Sequence, residues 1–73
     1  MAQASALAAF FNSAAELEEY IRANAPPGHQ LAIYSHRSFE WLRPDGSRVA
    51  TYEGLPERAR VERLIRKETS ATA

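Results

Sequence analysis

Residues 29–53 read HQLAIYSHRSFEWLRPDGSRVATYE, and this stretch decides the fold. Its apolar side chains alternate with other residues at a period of two, which is typical of strands that bury one face. Three runs carry the alternation: Leu31–Tyr34, Phe39–Leu42 and Val49–Tyr52. The pattern therefore predicts a three-stranded antiparallel meander.

Turn signals separate these three runs. Residues 43–47, RPDGS, are a strong signal, because proline presets the second turn position and the Asp-Gly pair supplies a positive φ. Residues 35–38, SHRS, are a weaker signal. They are interpreted as a second turn, with one long bent strand as the alternative.

A helix is predicted on each side of the meander. Ser13 and Glu16 have the spacing of a capping box, and apolar residues then recur at helical spacing. Proline at position 26 stops this pattern, so the first helix is predicted over Ala14–Asn24. Residues 54–57, GLPE, are predicted to open the second helix. Its apolar seam consists of Leu55, Ala59, Val61, Leu64 and Ile65.

These elements predict one α+β domain over residues 13–68, built as helix, three-stranded antiparallel meander and helix. A chain of 73 residues has room for a single core. Residues 1–12 are uncharged and predict a flexible N-terminal arm, ordered only where Phe10 and Phe11 find a surface. Residues 69–73 are small and uncharged and predict a disordered tail.

The composition excludes several classes of protein. Nine Lys and Arg residues balance nine Asp and Glu residues, which argues against a strongly basic nucleic-acid binder. There are no cysteines, and therefore neither a disulfide framework nor a thiolate metal site. No apolar run has the roughly 18 residues that span a bilayer, and the first basic residue is Arg22. A cytoplasmic protein without membrane contact is expected.

The sequence offers little for catalysis. His29 and His36 are the only histidines, and both fall in predicted loops. Ser35 and Ser38 flank His36, but neighbours in a turn seldom form a nucleophile–base pair. Two histidines without thiols fall short of the three or four ligands of a zinc site. The chain is therefore predicted to be no enzyme and to hold no metal or cofactor.

The pleat of the sheet cannot bury all of its aromatic side chains. If Phe39 and Trp41 point inward with Leu31 and Ile33, the opposite face is exposed. A partner-binding surface is predicted there and at the turns, made of Tyr34, Arg37, Leu42, Arg43, Arg48 and Tyr52. Exposed tyrosine and arginine are typical of protein-binding hot spots and are also able to hold single-stranded nucleic acid. The simpler alternative is that the aromatics pack on the helices and the arginines only solvate the edges.

The second helix carries Arg60, Arg63 and Lys67 at helical spacing. Such a row is usually a solvated face, and its functional interpretation is contact with an acidic partner or a nucleic-acid backbone. The order helix, three strands, helix is also that of double-stranded-RNA-binding domains, which makes a small RNA- or DNA-binding module the alternative function. Those domains begin the last helix with lysines, whereas residues 55–60, LPERAR, contain one acid and two separated arginines.

A second resemblance concerns the whole chain. It rests on the length, the uncharged ends and a central sheet over Leu31–Tyr52 that carries Arg37, Arg43 and Arg48. In these features the chain resembles the small transcription regulators of lytic phages that bind host RNA polymerase, of the kind found in a phage of Xanthomonas.

This resemblance implies a specific function. Such a regulator binds the amino-terminal region of the β′ subunit and the β-flap of host RNA polymerase. It inhibits initiation by displacing the σ factor and promotes antitermination near the RNA exit channel, where nascent RNA is a further contact. A monomer in the host bacterial cytoplasm is implied. No motif assigns contact residues, and inhibition of another host protein through the same surface is a third possibility.

Overall fold

The computed structural model describes residues 9–72 and confirms the predicted α+β element order. The helices are α1 (Ala14–Asn24) and α2 (Arg58–Thr72), and the strands are β1 (Gln30–Ser35), β2 (Ser38–Leu42) and β3 (Arg48–Glu53). The sheet order is β1-β2-β3, with both pairs antiparallel. The turn predicted at residues 35–38 is confirmed, because Ser35 pairs with Ser38 across two turn residues.

Helix α1 has the predicted bounds because its signals are local. The Ser13 side chain accepts a hydrogen bond from the Glu16 amide at 3.1 Å. The Glu16 carboxylate reaches back to the amide of Asn12 at 2.7 Å, one residue before the amide of the usual capping box. At the other end Ala25 is extended, as expected for a residue that precedes proline.

The N-terminal arm is ordered earlier than predicted. The amide of Phe11 donates to the carbonyl of Pro56 at 3.1 Å, and the amide of Arg58 donates to the carbonyl of Ala9 at 2.8 Å. Phe11 is buried in the core. The prediction of a flexible arm through residue 12 therefore extends too far, because backbone pairing and the buried Phe11 hold residues 9–12. The expected exception, order where Phe10 and Phe11 find a surface, applies to Phe11, whereas Phe10 is exposed. For residues 1–8, that prediction lies outside the described residues.

Helix α2 is displaced toward the C-terminus at both ends relative to its prediction. It begins at Arg58, because Glu57 forms a β-bridge with Phe10 of the arm and the Pro56 carbonyl accepts from the Phe11 amide. It continues to Thr72, so the predicted disordered tail is wrong for residues 69–72. No proline or glycine interrupts this segment, and Glu68 is bound to Arg43. Ala73 lies outside the described residues.

Both helices pack on one face of the sheet. The two buried side chains of β2, Phe39 and Trp41, have no exposed surface and join residues from both helices and the arm. The buried core comprises Phe11, Leu17, Ile21, Leu31, Phe39, Trp41, Val61 and Ile65. Within residues 9–72 both helices contribute to this side, which leaves the opposite face of the sheet uncovered. The candidate site lies on that uncovered face.

Candidate partner-binding surface

The open sheet face consists of the side chains that project away from the two helices. Its central residues are Tyr34, Glu40, Leu42, Arg48 and Thr51. In β2, Glu40 lies opposite Ala32 of β1 and Thr51 of β3, while Leu42 lies opposite Arg48. Directly opposed residues of antiparallel strands share a face, so the pairing places them together.

A chain of polar contacts crosses this face. The Tyr34 hydroxyl donates to Glu40 Oε1 at 2.8 Å, and Arg48 Nε lies 3.4 Å from Glu40 Oε2. Arg48 Nη1 also donates to Thr51 Oγ1 at 3.3 Å. The bond to Glu40 raises the pKa of the Tyr34 hydroxyl, since losing its proton would leave two negative oxygens together. These contacts orient Tyr34 and Arg48 without burying them.

Strand β1 forms an exposed edge beside the open sheet face. Tyr34 is 64% exposed and Ile33 is 47% exposed, two of the three large apolar or aromatic side chains that stand out of the described surface. The register shifts between Ile33 and Ser35, which makes Tyr34 an extra residue in β1. All six residues of β1 are uncharged. An uncharged edge strand offers backbone groups to another strand without charge repulsion.

Arg37 lies in the two-residue turn between β1 and β2, where it is exposed. Its carbonyl accepts a hydrogen bond from the Gly54 amide at 2.7 Å, which ties the turn to the end of β3. Its guanidinium forms no hydrogen bond or ion pair within residues 9–72. Arg37 therefore presents an exposed positive charge in the β1–β2 turn, and its role as a contact residue stays a prediction.

The prediction that Tyr52 faces outward is wrong. Tyr52 lies opposite Phe39 and therefore on the helix-covered face. The register shift between Trp41 and Leu42 inserts Val49 as an extra residue in β3, and a shift of one residue moves side chains to the other face. The Tyr52 hydroxyl is buried and has no hydrogen-bond partner in the described part of the chain. Burial raises its pKa to about 12.

Arg43 is turned away from the open sheet face, toward helix α2. Its Nε and Nη2 atoms donate to the two carboxylate oxygens of Glu68 at 2.8 and 2.9 Å. Its Nη1 donates to Ser47 Oγ and to the Arg48 carbonyl. These hydrogen bonds hold the pKa of the buried Glu68 below its ordinary value. Arg43 thus anchors the β2–β3 turn, a structural role that sequence neighbours did not reveal.

The predicted basic row on α2 belongs to the helix layer. Arg60 lies 3.6 Å from Glu57, whereas Arg63, Arg66 and Lys67 form no ion pair with an acid in the described chain. Because α2 packs on the other side of the sheet, this row and the open sheet face are separate surfaces. The structure therefore leaves Tyr34, Leu42 and Arg48 on the open sheet face with Arg37 in the adjoining turn, and places the other predicted site residues elsewhere.

Two contacts at the core were missed by sequence reasoning. Trp41 Nε1 donates to Nδ1 of the buried His29 at 3.0 Å. Arg58 Nη2 binds Glu16 Oε2 at 2.9 Å, and its guanidinium lies 4.5 Å from the centre of the Phe11 ring. Both join residues that are far apart in the sequence. No local pattern in the sequence indicates either contact.

Among residues 9–72, no three His, Asp or Glu side chains lie close enough to hold a metal ion. Within that range no helix has the length and apolar character needed to cross a bilayer. His36 is exposed in the β1–β2 turn, far from the buried surroundings of His29.

No protein-family model matches this chain, and neither do curated proteins or solved structures.

Proposed function

We propose that this chain is a non-catalytic, phage-encoded regulator that binds host bacterial RNA polymerase through the open sheet face and the edge of β1. The observation that carries the proposal is Tyr34, which is 64% exposed on an uncovered face and held in place by Glu40. The whole-chain resemblance to phage regulators supplies the identity of the partner.

The chemistry of the surface favours a protein partner. Tyrosine and arginine are enriched among residues that dominate binding energy, and each such anchor contributes about 2 kcal/mol or more. Tyr34 and Arg37 are both exposed beside the uncharged strand β1. An extended segment of the partner is able to pair with β1 while its side chains contact Tyr34. The polar contacts of Arg48 with Glu40 and Thr51 reduce the ordering cost on binding.

The mechanism is exclusion rather than chemistry. A rigid domain that occupies the β′ amino-terminal region and the β-flap prevents σ from binding the same place. Displacement requires only that the two bound states exclude each other. Initiation from σ-dependent promoters then falls. Read-through of terminators rises when the domain also lies at the RNA exit channel.

The test uses purified chain and purified bacterial RNA polymerase, with and without σ, after nuclease treatment. We expect a complex with core enzyme that σ competes away. Tyr34→Ala and Arg37→Glu are each expected to weaken this complex by roughly thirtyfold, which corresponds to about 2 kcal/mol. Arg63→Glu on α2 changes the charge by the same amount as Arg37→Glu and serves as the matched control.

Three results would contradict the proposal. The first is absence of a complex with core or holoenzyme at micromolar concentrations. The second is a complex that nuclease abolishes. The third is equal weakening by Arg37→Glu and Arg63→Glu, which would remove the open sheet face as the site. Circular dichroism of each variant separates loss of binding from loss of folding.

A second candidate function is binding of structured RNA. Its specific support is the set of Arg63, Arg66 and Lys67, which carry no ion pair in the described chain and lie on one stretch of α2. The element order is also that of double-stranded-RNA-binding domains. This candidate predicts a steep salt dependence of binding to bare RNA, lost in Arg63→Glu. Absence of binding to duplex or single-stranded RNA at low salt would exclude it.

A further inference from the structure

His29 lies in the loop between α1 and β1, yet it is only 7% exposed. The indole N–H of Trp41 donates to its Nδ1 atom at 3.0 Å, and the two rings meet edge to face with centres 6.2 Å apart. A ring nitrogen that accepts a hydrogen bond carries no proton. With this bond in place, His29 is therefore neutral and carries its proton on Nε2.

His29 also lines two grooves at the surface. A groove of about 420 Å³ is bounded by residues that include Pro27, Pro44 and Glu68, with His29 in its wall. No residue of the described chain forms a hydrogen bond with Nε2. A second opening, on the side of α1, also has His29 in its wall. Solvent therefore has access to the His29 ring, although its Nδ1 atom is hydrogen-bonded to Trp41 in the core.

We infer that His29 is a proton-sensitive switch that controls the contact between the α1–β1 loop, the β2–β3 turn and the end of α2. Protonation places a second N–H on Nδ1, pointing at the indole N–H of Trp41. Two donors then face each other across 3.0 Å, and the hydrogen bond is lost. Histidine is the side chain that ordinarily changes charge between about pH 5 and 8.

Charged groups from three elements face His29. Glu68 of α2 interacts electrostatically with His29, and this interaction helps to lower the pKa of Glu68. Arg43 and Asp45 lie in the β2–β3 turn, on the same groove. Glu18 and Arg22 of α1 line the opening on the other side. Three acids and two bases thus surround the ring, while the hydrogen bond to Trp41 is the one contact among these that requires Nδ1 to carry no proton.

The segments joined at His29 are in close contact. A Cβ atom at Gly28 would lie 2.6 Å from Cγ of Pro44, so the loop and the turn pack backbone against ring. The same turn holds Arg43 on Glu68. Loss of the bond between His29 and Trp41 therefore loosens the place where loop, turn and helix meet. This inference concerns the free chain and does not depend on the proposed function.

Trp41 reports on this switch because it is the only tryptophan of the chain. The experiment follows tryptophan emission and the NMR shift of the indole N–H of the intact chain between pH 8 and 5. We expect a reversible transition in both signals, with the same midpoint as the ring protons of His29. His29→Asn keeps an acceptor oxygen near Nδ1 but does not titrate, and it is expected to lose the transition. His36→Asn is the matched control and keeps it.

Three outcomes would overturn the inference. They are a transition that persists in His29→Asn, no transition in the intact chain, and a titrating His29 ring that leaves the indole signal unchanged. If His29→Asn does not fold, the midpoints measured on the intact chain still test the inference. Coincident midpoints for the His29 ring and the Trp41 indole support the switch, and separate midpoints reject it.

Discussion

The two hairpins of the sheet differ in how they are held. The β2–β3 turn is fixed by bonds from Ser47 to Asp45 and by the paired Arg43 and Glu68. The β1–β2 turn has no ion pair in the described chain. Its Arg37 amide donates to Ser35 Oγ at 3.3 Å, its Arg37 carbonyl accepts from the Gly54 amide, and its strand β1 exposes Tyr34. The β2–β3 hairpin therefore contributes to stability, whereas the β1–β2 hairpin leaves its side chains available to a partner.

The largest expected effect on stability comes from removing the ion pair between Arg43 and Glu68, which holds the β2–β3 turn. Arg43→Ala removes the bidentate partner of the buried Glu68 carboxylate, and we expect the largest loss in the free energy of unfolding among these variants. Arg37→Ala, in the other turn, is expected to change it by less than about 0.5 kcal/mol. Urea unfolding measures both. Equal effects would remove the distinction between the hairpins.

Acid is expected to weaken the same anchor. The pKa of Glu68 is lower in the folded chain than in the unfolded chain, because Arg43 binds the ionised carboxylate. Its contribution to stability is therefore complete above the ordinary glutamate pKa of about 4.3, and it is lost as the pH falls through the lower folded value. Unfolding measured from pH 6 to 3 is expected to be less steep in Glu68→Gln. An unchanged slope would contradict this account.

Alanine substitutions at two glycines are expected to distinguish the cost of backbone strain from the cost of steric crowding. Gly46 lies in the β2–β3 turn, and Gly28 lies in the α1–β1 loop that packs against this turn. Gly28 and Gly46 both have φ near +90°, but only Gly28 lies against Pro44. We expect Gly46→Ala to cost about 1 kcal/mol, from the backbone alone. Gly28→Ala is expected to cost about 2 kcal/mol or more, because the new methyl group also meets Pro44. Equal losses of thermal stability in the two variants would mean that the α1–β1 loop moves away from Pro44 without a cost in free energy.

Tyr52 offers a substitution that is expected to stabilise. Its buried hydroxyl has no partner in the described chain, so Tyr52→Phe removes an unsatisfied polar group. We expect the free energy of unfolding to rise by up to about 1 kcal/mol. Tyr20→Phe is the control, since the Tyr20 hydroxyl donates to Glu62 and its loss is expected to destabilise slightly. A fall in stability for Tyr52→Phe would show that a partner exists in solution.

The smallest expected effect on stability belongs to the exposed hairpin. Tyr34→Phe removes the hydrogen bond to Glu40 at a solvent-exposed position and is expected to cost less than about 0.5 kcal/mol. Chemical denaturation measures this cost. A loss above 1 kcal/mol would mean that Tyr34 is a structural residue, which would weaken its assignment to a binding surface.

Local patterns predicted most of the fold but only part of the site. The bounds of α1 and the turn at residues 43–47 agree with the sequence because a capping residue, a proline and a glycine act on their neighbours. Tyr34 and Arg37 were placed at the surface correctly. Tyr52 was not, because an extra residue in β3 changes which face it occupies, and alternation alone does not reveal such a shift.

By itself, the sequence determined the α+β class, the order of the five elements and the absence of thiol chemistry, because these depend on side-chain period, turn residues and composition. Tertiary structure alone decided that Arg43 binds Glu68, that Trp41 binds His29 and that one face of the sheet stays open. The paired residues lie 25 and 12 positions apart. Such contacts depend on strand register and helix placement, which only the packed chain determines.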